Sequence, residues 1–285
     1  MKVLVTGYNG QLGRDVVRLL EKRGVECRGV DVEDFDLTDG AAVKSYVQDY
    51  VPDVIVHCAA YTAVDRAESE PEICAAVNGG GTLNMVRAAL SVGARLVYIS
   101  TDYVFSGEGE EPWTEDAPYD PQNVYGMSKV QGEIAVRSLM KRYYLLRTSW
   151  VYGVNGRNFV RTMLKLGKEK QEVRVVDDQI GSPTYSADLA RVICDLIETE
   201  KYGIYHTANE GYMSWAEFAR MIMAEAGLSC RVIPVPSAEY PVPARRPLNS
   251  RLSGEKLRSS GIVPMPAVRD ALTRYLKELA EEQAE

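Results

Sequence analysis

At 285 residues, with 46% apolar side chains, the chain has ample core for one large domain or two coupled ones without disulfide staples. The 33 basic and 40 acidic side chains leave a net charge of −7, and without a basic stripe this balance argues against nucleic acid or an anionic membrane as the main partner. No apolar stretch is long enough to span a bilayer, and a first strand starting at Met1-Lys2 leaves no room for a signal peptide, so a cytoplasmic protein is expected.

Lys2-Val3-Leu4-Val5-Thr6 is a short apolar run rich in β-branched residues that meets Gly7-Tyr8-Asn9-Gly10-Gln11-Leu12-Gly13. Arg14 to Arg23 then carries Val16, Val17, Leu19 and Leu20 at helical spacing and ends before Gly24, a natural left-handed cap. Strand, glycine turn and helix in this order form a dinucleotide fingerprint, although the spacing is Gly-x-x-Gly-x-x-Gly. Gly7 suits the tight turn, Gly10 a backbone approach to a pyrophosphate, and Gly13 close helix packing. The next strand, Glu26 to Asp31, ends in a carboxylate about 20 residues beyond the loop, where an acid binds ribose hydroxyls. Asp31 therefore favours NAD over NADP, while Arg28 leaves a 2′-phosphate partner open.

Asp53 to His57 and Arg95 to Ser100 read as further buried strands separated by helical stretches, and such alternation predicts a doubly wound parallel sheet of Rossmann type in an α/β fold. Ligands bind beyond the carboxyl ends of such strands. Gly7, Asp31, Ala59-Ala60-Tyr61-Thr62 and Ser100-Thr101-Asp102 all fall at those ends. Tyr125 and Lys129 sit four residues apart on the first turns of a predicted helix, where i and i+4 share a face. The lysine charge is expected to favour the phenolate; moving a phenol from pH ~10 to about 7 needs on the order of 4 kcal/mol, which one ammonium in water does not supply and a partly desolvated lysine together with the positive nicotinamide ring of an oxidised cofactor is expected to.

Tyr143 to Gly153 is a strand running into a loop, after which the pattern becomes less regular. Asn158 to Lys170 reads as helix, Val173 to Val176 as strand and Ser186 to Thr199 as helix. Ser214 and Glu217 form a capping box opening a helix to Ala226, with Gly227 behind it. Pro234 to Pro247 is proline-rich and irregular, and a charged helix from Pro266 to Glu285 closes the chain. The expected division is a dinucleotide-binding domain over 1–151, a segment near 186–210 returning to it, and a smaller interleaved α/β substrate domain over 152–285. Five cysteines without a Cys-x-x-Cys pair read as buried packing thiols. His57 and His206 lie in strand-like stretches without neighbouring ligands, so zinc or iron is not expected.

Thr6-Gly7-x-x-Gly10-x-x-Gly13, Ser100 to Phe105 and Tyr125-Gly126-x-Ser128-Lys129-x-x-Gly132-Glu133 together resemble the extended short-chain dehydrogenase/reductase family. Cys58 to Glu68, Arg147 to Tyr152, Asp178-Gln179-x-Gly181-x-Pro183-Thr184 and Arg245-Arg246-Pro247-x-Asn249-Ser250-Arg251-Leu252 resemble its dTDP-4-dehydrorhamnose reductase branch. That resemblance implies reduction of the 4-keto group of dTDP-4-dehydro-L-rhamnose by NADPH or NADH, the last step to dTDP-L-rhamnose. It implies that Tyr125 protonates the developing alkoxide, Lys129 holds the nicotinamide ribose and Thr101 hydrogen-bonds the keto oxygen. It further implies a cofactor lined by Asn9, Gly10, Gln11, Leu12, Asp31, Asp36, Leu37, Ala60, Tyr61 and Thr62, and a sugar nucleotide met by Asp102, Trp150, Arg245 and Arg246. Guanidinium forks suit a diphosphate. Some relatives dimerise around magnesium held by helix carboxylates; those ligands have no clear match here, so the metal is left unknown and a homodimer open. His57 stands where asparagine is common, and Gly79-Gly80-Gly81 is richer in glycine than the family pattern.

Three other readings compete. A dehydratase places glutamate directly after the threonine-aspartate pair, where Tyr103 stands here. A sugar-nucleotide 4-epimerase uses the same tyrosine and lysine. A non-catalytic regulatory subunit, like that of methionine adenosyltransferase, would bind dinucleotide and a partner enzyme without turnover.

Overall fold

The computed structural model describes residues 1–282. In it β1 (Lys2–Thr6) passes through the glycine loop into α1 (Gln11–Lys22), which begins at Gln11 rather than Arg14 because Gly10, extended and without a capping side chain, already starts the turn. Gly24 behind it has the left-handed φ of +70° expected of a cap. β2 (Glu26–Val30), α2 (Gly40–Tyr50), β3 (Val54–His57), α3 (Val64–Ala67) and α4 (Pro71–Ala75) follow. The glycine triplet then lies in a π-helical turn, Ala76–Gly81, running directly into α5 (Thr82–Val92). A widened turn has no sequence period of its own, so periodicity does not disclose it. β4 (Arg95–Thr101), α6 (Val124–Leu139) and β5 (Tyr143–Thr148) complete the first half.

The second half holds shorter pieces: β6 (Val151–Tyr152), α7 (Phe159–Glu169), β7 (Glu172–Val176), β8 (Ile180–Gly181), β9 (Thr184–Tyr185) and α8 (Ser186–Ile197). After these come β10 (Gly203–His206), β11 (Met213–Ser214), α9 (Trp215–Glu225), β12 (Arg231–Val235), β13 (Asn249–Ser250), α10 (Glu255–Ser259) and α11 (Val268–Glu282). The main sheet has the order β10-β5-β4-β3-β1-β2 with every pair parallel. Its strands read as continuous apolar runs because helices cover both faces. Val54, Ile55, Val56 and His57 are all buried. One face packs on α1 and α8 through Val16, Leu20, Leu189 and Ile193, and the other on α2 and α5 through Val43, Val47, Met85 and Ala89. A second core joins α7, α9 and α11 around Tyr152, Phe218, Leu272 and Tyr275.

Chain order reverses beside β1, whose neighbours are β2 and β3. That switch point opens a crevice at the carboxyl ends of β1 and β3. Three expectations need correction. Pro234 and Val235 belong to β12 rather than to the irregular segment, since among the described residues β12 pairs only with β7 and a proline is tolerated on such an edge. The final helix begins at Val268, and positions 283–285 of the expected helix lie outside the described residues. Cys27 and Cys58 are half-buried, whereas Cys74, Cys194 and Cys230 are buried.

Candidate active site

The glycine loop sits on the end of β3. Gly7 has φ +69°, and a Cβ on Gly13 would lie 2.2 Å from the Gly7 carbonyl oxygen, so only glycine lets α1 start this close to the strand. The first turn of α1 carries no acidic side chain and no capping side chain, which leaves its N-terminal N–H groups and dipole to an anion. Among the residues assigned to the cofactor, Asp31 closes β2 and accepts from the backbone N–H of Asn9 at 2.8 Å and of Val32 at 2.9 Å. Gln11 accepts from the Gly153 N–H at 2.8 Å and the Asn158 amide at 3.0 Å, tying the loop to the second half of the chain. The Leu12 side chain is buried in the core under the sheet, because its helix position faces inward. Asp36 is exposed and caps its own turn, accepting from the Thr38 N–H and hydroxyl at 2.8 Å each; these bonds hold its carboxyl below the usual range. The Leu37 carbonyl accepts from the Asn84 amide at 2.9 Å. Arg28 stacks on the Tyr50 ring, 4.5 Å from its centroid.

The loop Ala60-Tyr61-Thr62 is held by Asn78 in the π turn, whose side chain accepts from the Tyr61 N–H at 2.8 Å and donates to the Tyr61 carbonyl at 3.0 Å. The same amide donates to the Ser128 hydroxyl at 2.9 Å, so this one buried side chain connects the loop to α6. His57 bridges Thr6 Oγ1 at 2.8 Å and Thr82 Oγ1 at 3.3 Å through its two ring nitrogens. Burial and the nearby Lys129 charge push its imidazole down to about 3.

Tyr125 and Lys129 lie in the first turns of α6, and the Asn123 side chain caps that helix by accepting from the Gly126 N–H at 2.7 Å. Glu68 accepts from the Val124 N–H at 2.9 Å, a second tie on the same turn. One turn beyond Lys129, Glu133 pairs with Arg147 of β5 at 2.7 Å with both side chains essentially fully buried. Glu133 also accepts from the Ser100 and Tyr119 hydroxyls at 2.6 Å each, so α6 is clamped to β4 and β5 behind the reactive pair. The Lys129 ammonium lies 4.3 Å above the Tyr98 ring, and burial pulls it down to about 8 against the opposing pull of Glu133 and the Cys58 and Cys74 thiols.

The protein's own groups do not by themselves acidify the Tyr125 phenol. Burial raises its pKa well above that of a free tyrosine, Asp102 and Tyr103 add to the rise, and the neighbouring Thr101 hydroxyl works against it. The protein's own groups therefore keep this phenol protonated, because desolvation and the neighbouring Asp102 charge both penalise a phenolate. Thr101 ends β4 and donates to Asp102 Oδ1 at 2.9 Å; Asp102 is buried, accepts from Ser250 at its other oxygen, and is pushed up to about 6 by that burial. Tyr103 packs edge-on against Tyr125, with ring centroids 5.6 Å apart.

The two arginines diverge. Arg246 donates to Asp65 at 2.6 Å and to the Tyr103 hydroxyl at 2.9 Å, so its charge is met by a carboxylate within the protein. Arg245 is exposed and donates to Gln122 at 2.9 Å and Glu108 at 3.3 Å. Trp150, just past β5, has the left-handed φ of +52° that a bulky residue rarely adopts, at a cost of order 1–3 kcal/mol, and its indole stacks on Trp215.

The model of the RmlD substrate binding domain matches residues 1–281. The chain belongs to this family. It is 43% identical over 277 residues to the dTDP-4-dehydrorhamnose reductase of Streptomyces griseus, covering 95% of this chain and 91% of that one. Its fold matches a solved dTDP-4-dehydrorhamnose reductase from Clostridium acetobutylicum with a TM-score of 0.96 at 42% identity, over 98% of this chain and all of that one. A Bacillus anthracis reductase solved in complex with NADP matches with a TM-score of 0.95 at 44% identity, again over 98% of this chain and all of the other. Within this RmlD-family fold, Asn78, Asn123, Ser250 and Trp215 were not singled out from sequence. Their partners lie 50, 3, 148 and 65 positions away in Ser128, Gly126, Asp102 and Trp150; only the local cap at Asn123 leaves a signal readable in its own segment.

Proposed function

We propose that this chain reduces the 4-keto group of dTDP-4-dehydro-L-rhamnose with a nicotinamide dinucleotide, forming dTDP-L-rhamnose. Relatives of near-equal length carry that name, and one of them binds NADP. The observation that carries the reading is the Tyr125 phenol: half-buried, kept protonated, beside Thr101 and four residues from a buried lysine. A neutral phenol is an acid loaded for donation. That is the form a carbonyl reduction needs, since charge grows on the sugar oxygen as the carbon is reduced.

The residues present fit a dinucleotide. The uncapped, acid-free N-terminus of α1 with its glycine cradle suits the diphosphate, Asp31 at the end of β2 suits the adenosine ribose, and Lys129 suits the second ribose. Bound there, the reduced cofactor supplies the hydride. Tyr125 gives its proton to the sugar oxygen, and the Thr101 hydroxyl turns its one proton from Asp102 to that oxygen. Asp102, tied to Thr101 and Ser250, orients the threonine. Lys129 stabilises the phenolate left behind. Trp150 meets the sugar nucleotide, while Arg245, exposed and held only by a surface glutamate and an amide, is the freer of the two cations for its diphosphate. Residues 1–151 with the returning segment near 186–210, α8 and β10, form the dinucleotide side, and most of the remainder of 152–285 forms the sugar-nucleotide side.

The deciding experiment is NADH and NADPH oxidation against a panel of nucleotide-linked 4-keto sugars with product identification. Stoichiometric cofactor consumption with the 6-deoxy sugar as product is the expected result. Interconversion of sugars without net consumption would make the chain an epimerase, and binding without turnover would make it a regulatory subunit.

A further inference from the structure

We infer that Trp215 is a positioning residue, holding the Trp150 indole in the attitude that receives the sugar nucleotide; the inference rests on the role proposed above for Trp150. The two indoles are stacked with centroids 3.6 Å apart and planes 11° from parallel. Trp150 sits on left-handed backbone, so its direction is not the one an ordinary strand end would give it. The surroundings fix that direction from several sides. The Trp150 carbonyl accepts from the Thr184 N–H at 3.1 Å, and the neighbouring Ser149 hydroxyl donates to the Ser182 carbonyl at 2.9 Å. Beneath the indole lies Gly181, where an added Cβ would stand 2.8 Å from Trp150 Cε2, so only glycine leaves room for the ring. Trp215 covers the ring's face.

Trp215 owes its own place to the capping box. The Ser214 hydroxyl accepts from the Glu217 N–H at 3.0 Å and Glu217 accepts from the Ser214 N–H at 2.7 Å, which fixes the first turn of α9 with Trp215 as its opening residue. The strand before it, β11, pairs Met213 with Gly181, so the floor under Trp150 and the plate against its face are set by one antiparallel pair. Phe159 of α7 packs on Trp215 with centroids 4.5 Å apart. Both indoles keep partial exposure, unlike the buried ring cluster of Tyr152, Tyr185 and Tyr275 a few residues away. A rigid, half-open aromatic face backed by a second one is a platform for a sugar or base, and the capping box is part of its foundation.

The test is a double-variant cycle on Trp150→Phe and Trp215→Leu, with Trp215→Phe as the conservative control. Steady-state kinetics with dTDP-4-dehydro-L-rhamnose are read alongside near-ultraviolet circular dichroism and NADPH affinity. Trp150→Phe and Trp215→Leu should each raise KM roughly tenfold with kcat changed less than about threefold, and Trp215→Phe should recover most of the loss. The double variant should be no worse than the poorer single, because both remove one interaction. The exciton couplet of the stacked indoles should vanish in every variant, and NADPH affinity should stay unchanged as the check on folding. If Trp150→Phe raises KM and Trp215→Leu does not, or if the two effects multiply in the double variant, the positioning role is overturned while the reading of Trp150 stands. If neither raises KM, the reading of Trp150 falls and takes the inference with it.

Discussion

Tyr125 illustrates how burial and charge compete at one side chain. The spacing to Lys129 suggests an acidified phenol, yet burial and the Asp102 charge both penalise a phenolate, and the protein's own groups leave the phenol neutral. Tyr125→Phe removes the proton donor and leaves the cradle intact. It should lower kcat by ~10²–10⁴-fold with NADPH affinity within a few-fold of wild type; a near wild-type rate in stopped-flow reduction would refute the role. Since the phenol titrates far above neutrality, the alkaline limb of kcat/KM belongs to Lys129, held near 8 by burial. Below that value the amine is charged and stabilises the departing proton's phenolate; above it the charge is lost. A profile from pH 6 to 10 should fall with an apparent pKa near 8, and a flat profile through pH 9 would remove the lysine charge from the mechanism.

At the scale of elements, what aims the reactive turn of α6 is a clamp rather than the helix's own propensity. Asn123 and Glu68 fasten its start and Glu133 fastens its body to Arg147, Ser100 and Tyr119. Glu133→Gln would leave the Arg147 guanidinium buried without its counter-charge, at a cost of about 3–5 kcal/mol. Urea denaturation should show that loss in the midpoint with an unchanged slope; a shift under 1 kcal/mol would mean that water or a shifted partner compensates. The capping box at Ser214 and Glu217 was legible in sequence because both bonds close within four residues. The Glu133 clamp was not, since its partners stand at positions 100, 119 and 147, and nothing in the local pattern distinguishes a buried glutamate from a solvated one. The same holds for the bonds of Gln11 to Gly153 and Asn158, whose partners stand more than a hundred positions away.

For the whole molecule, the buried titratable groups set the response to acid. His206 at the end of β10 is fully buried and, like His57, is pushed down to about 3 by burial, with the Arg147 charge adding to the effect. A histidine with a depressed folded pKa contributes full stability above its ordinary value of 6.5 and loses it as pH falls toward 3. Asp15 and Asp102, each raised to about 6, act in the opposite sense: their contribution is present below 3.8 and lost as pH rises through 6. The two pairs therefore offset one another between about pH 4 and 6, and the histidines dominate below. His206→Phe removes one of them, so at pH 4.5 the variant should regain about 3 kcal/mol relative to its difference from wild type at pH 7. Paired urea midpoints at the two pH values measure this, and an equal difference at both would contradict it.

Local pattern alone determined the strand, glycine turn and helix at the start, the alternation that makes a parallel sheet, the Tyr125 and Lys129 pair and the family, because each depends on residues within a few positions of one another or on short motifs. Tertiary structure decided the rest. It made the Tyr125 phenol a stored acid, turned Arg246 toward Asp65, tied the buried Asp102 to Ser250 and set Trp215 against Trp150. Those outcomes depend on desolvation and on partners tens to hundreds of positions distant, and both come into being only when the chain has closed on itself.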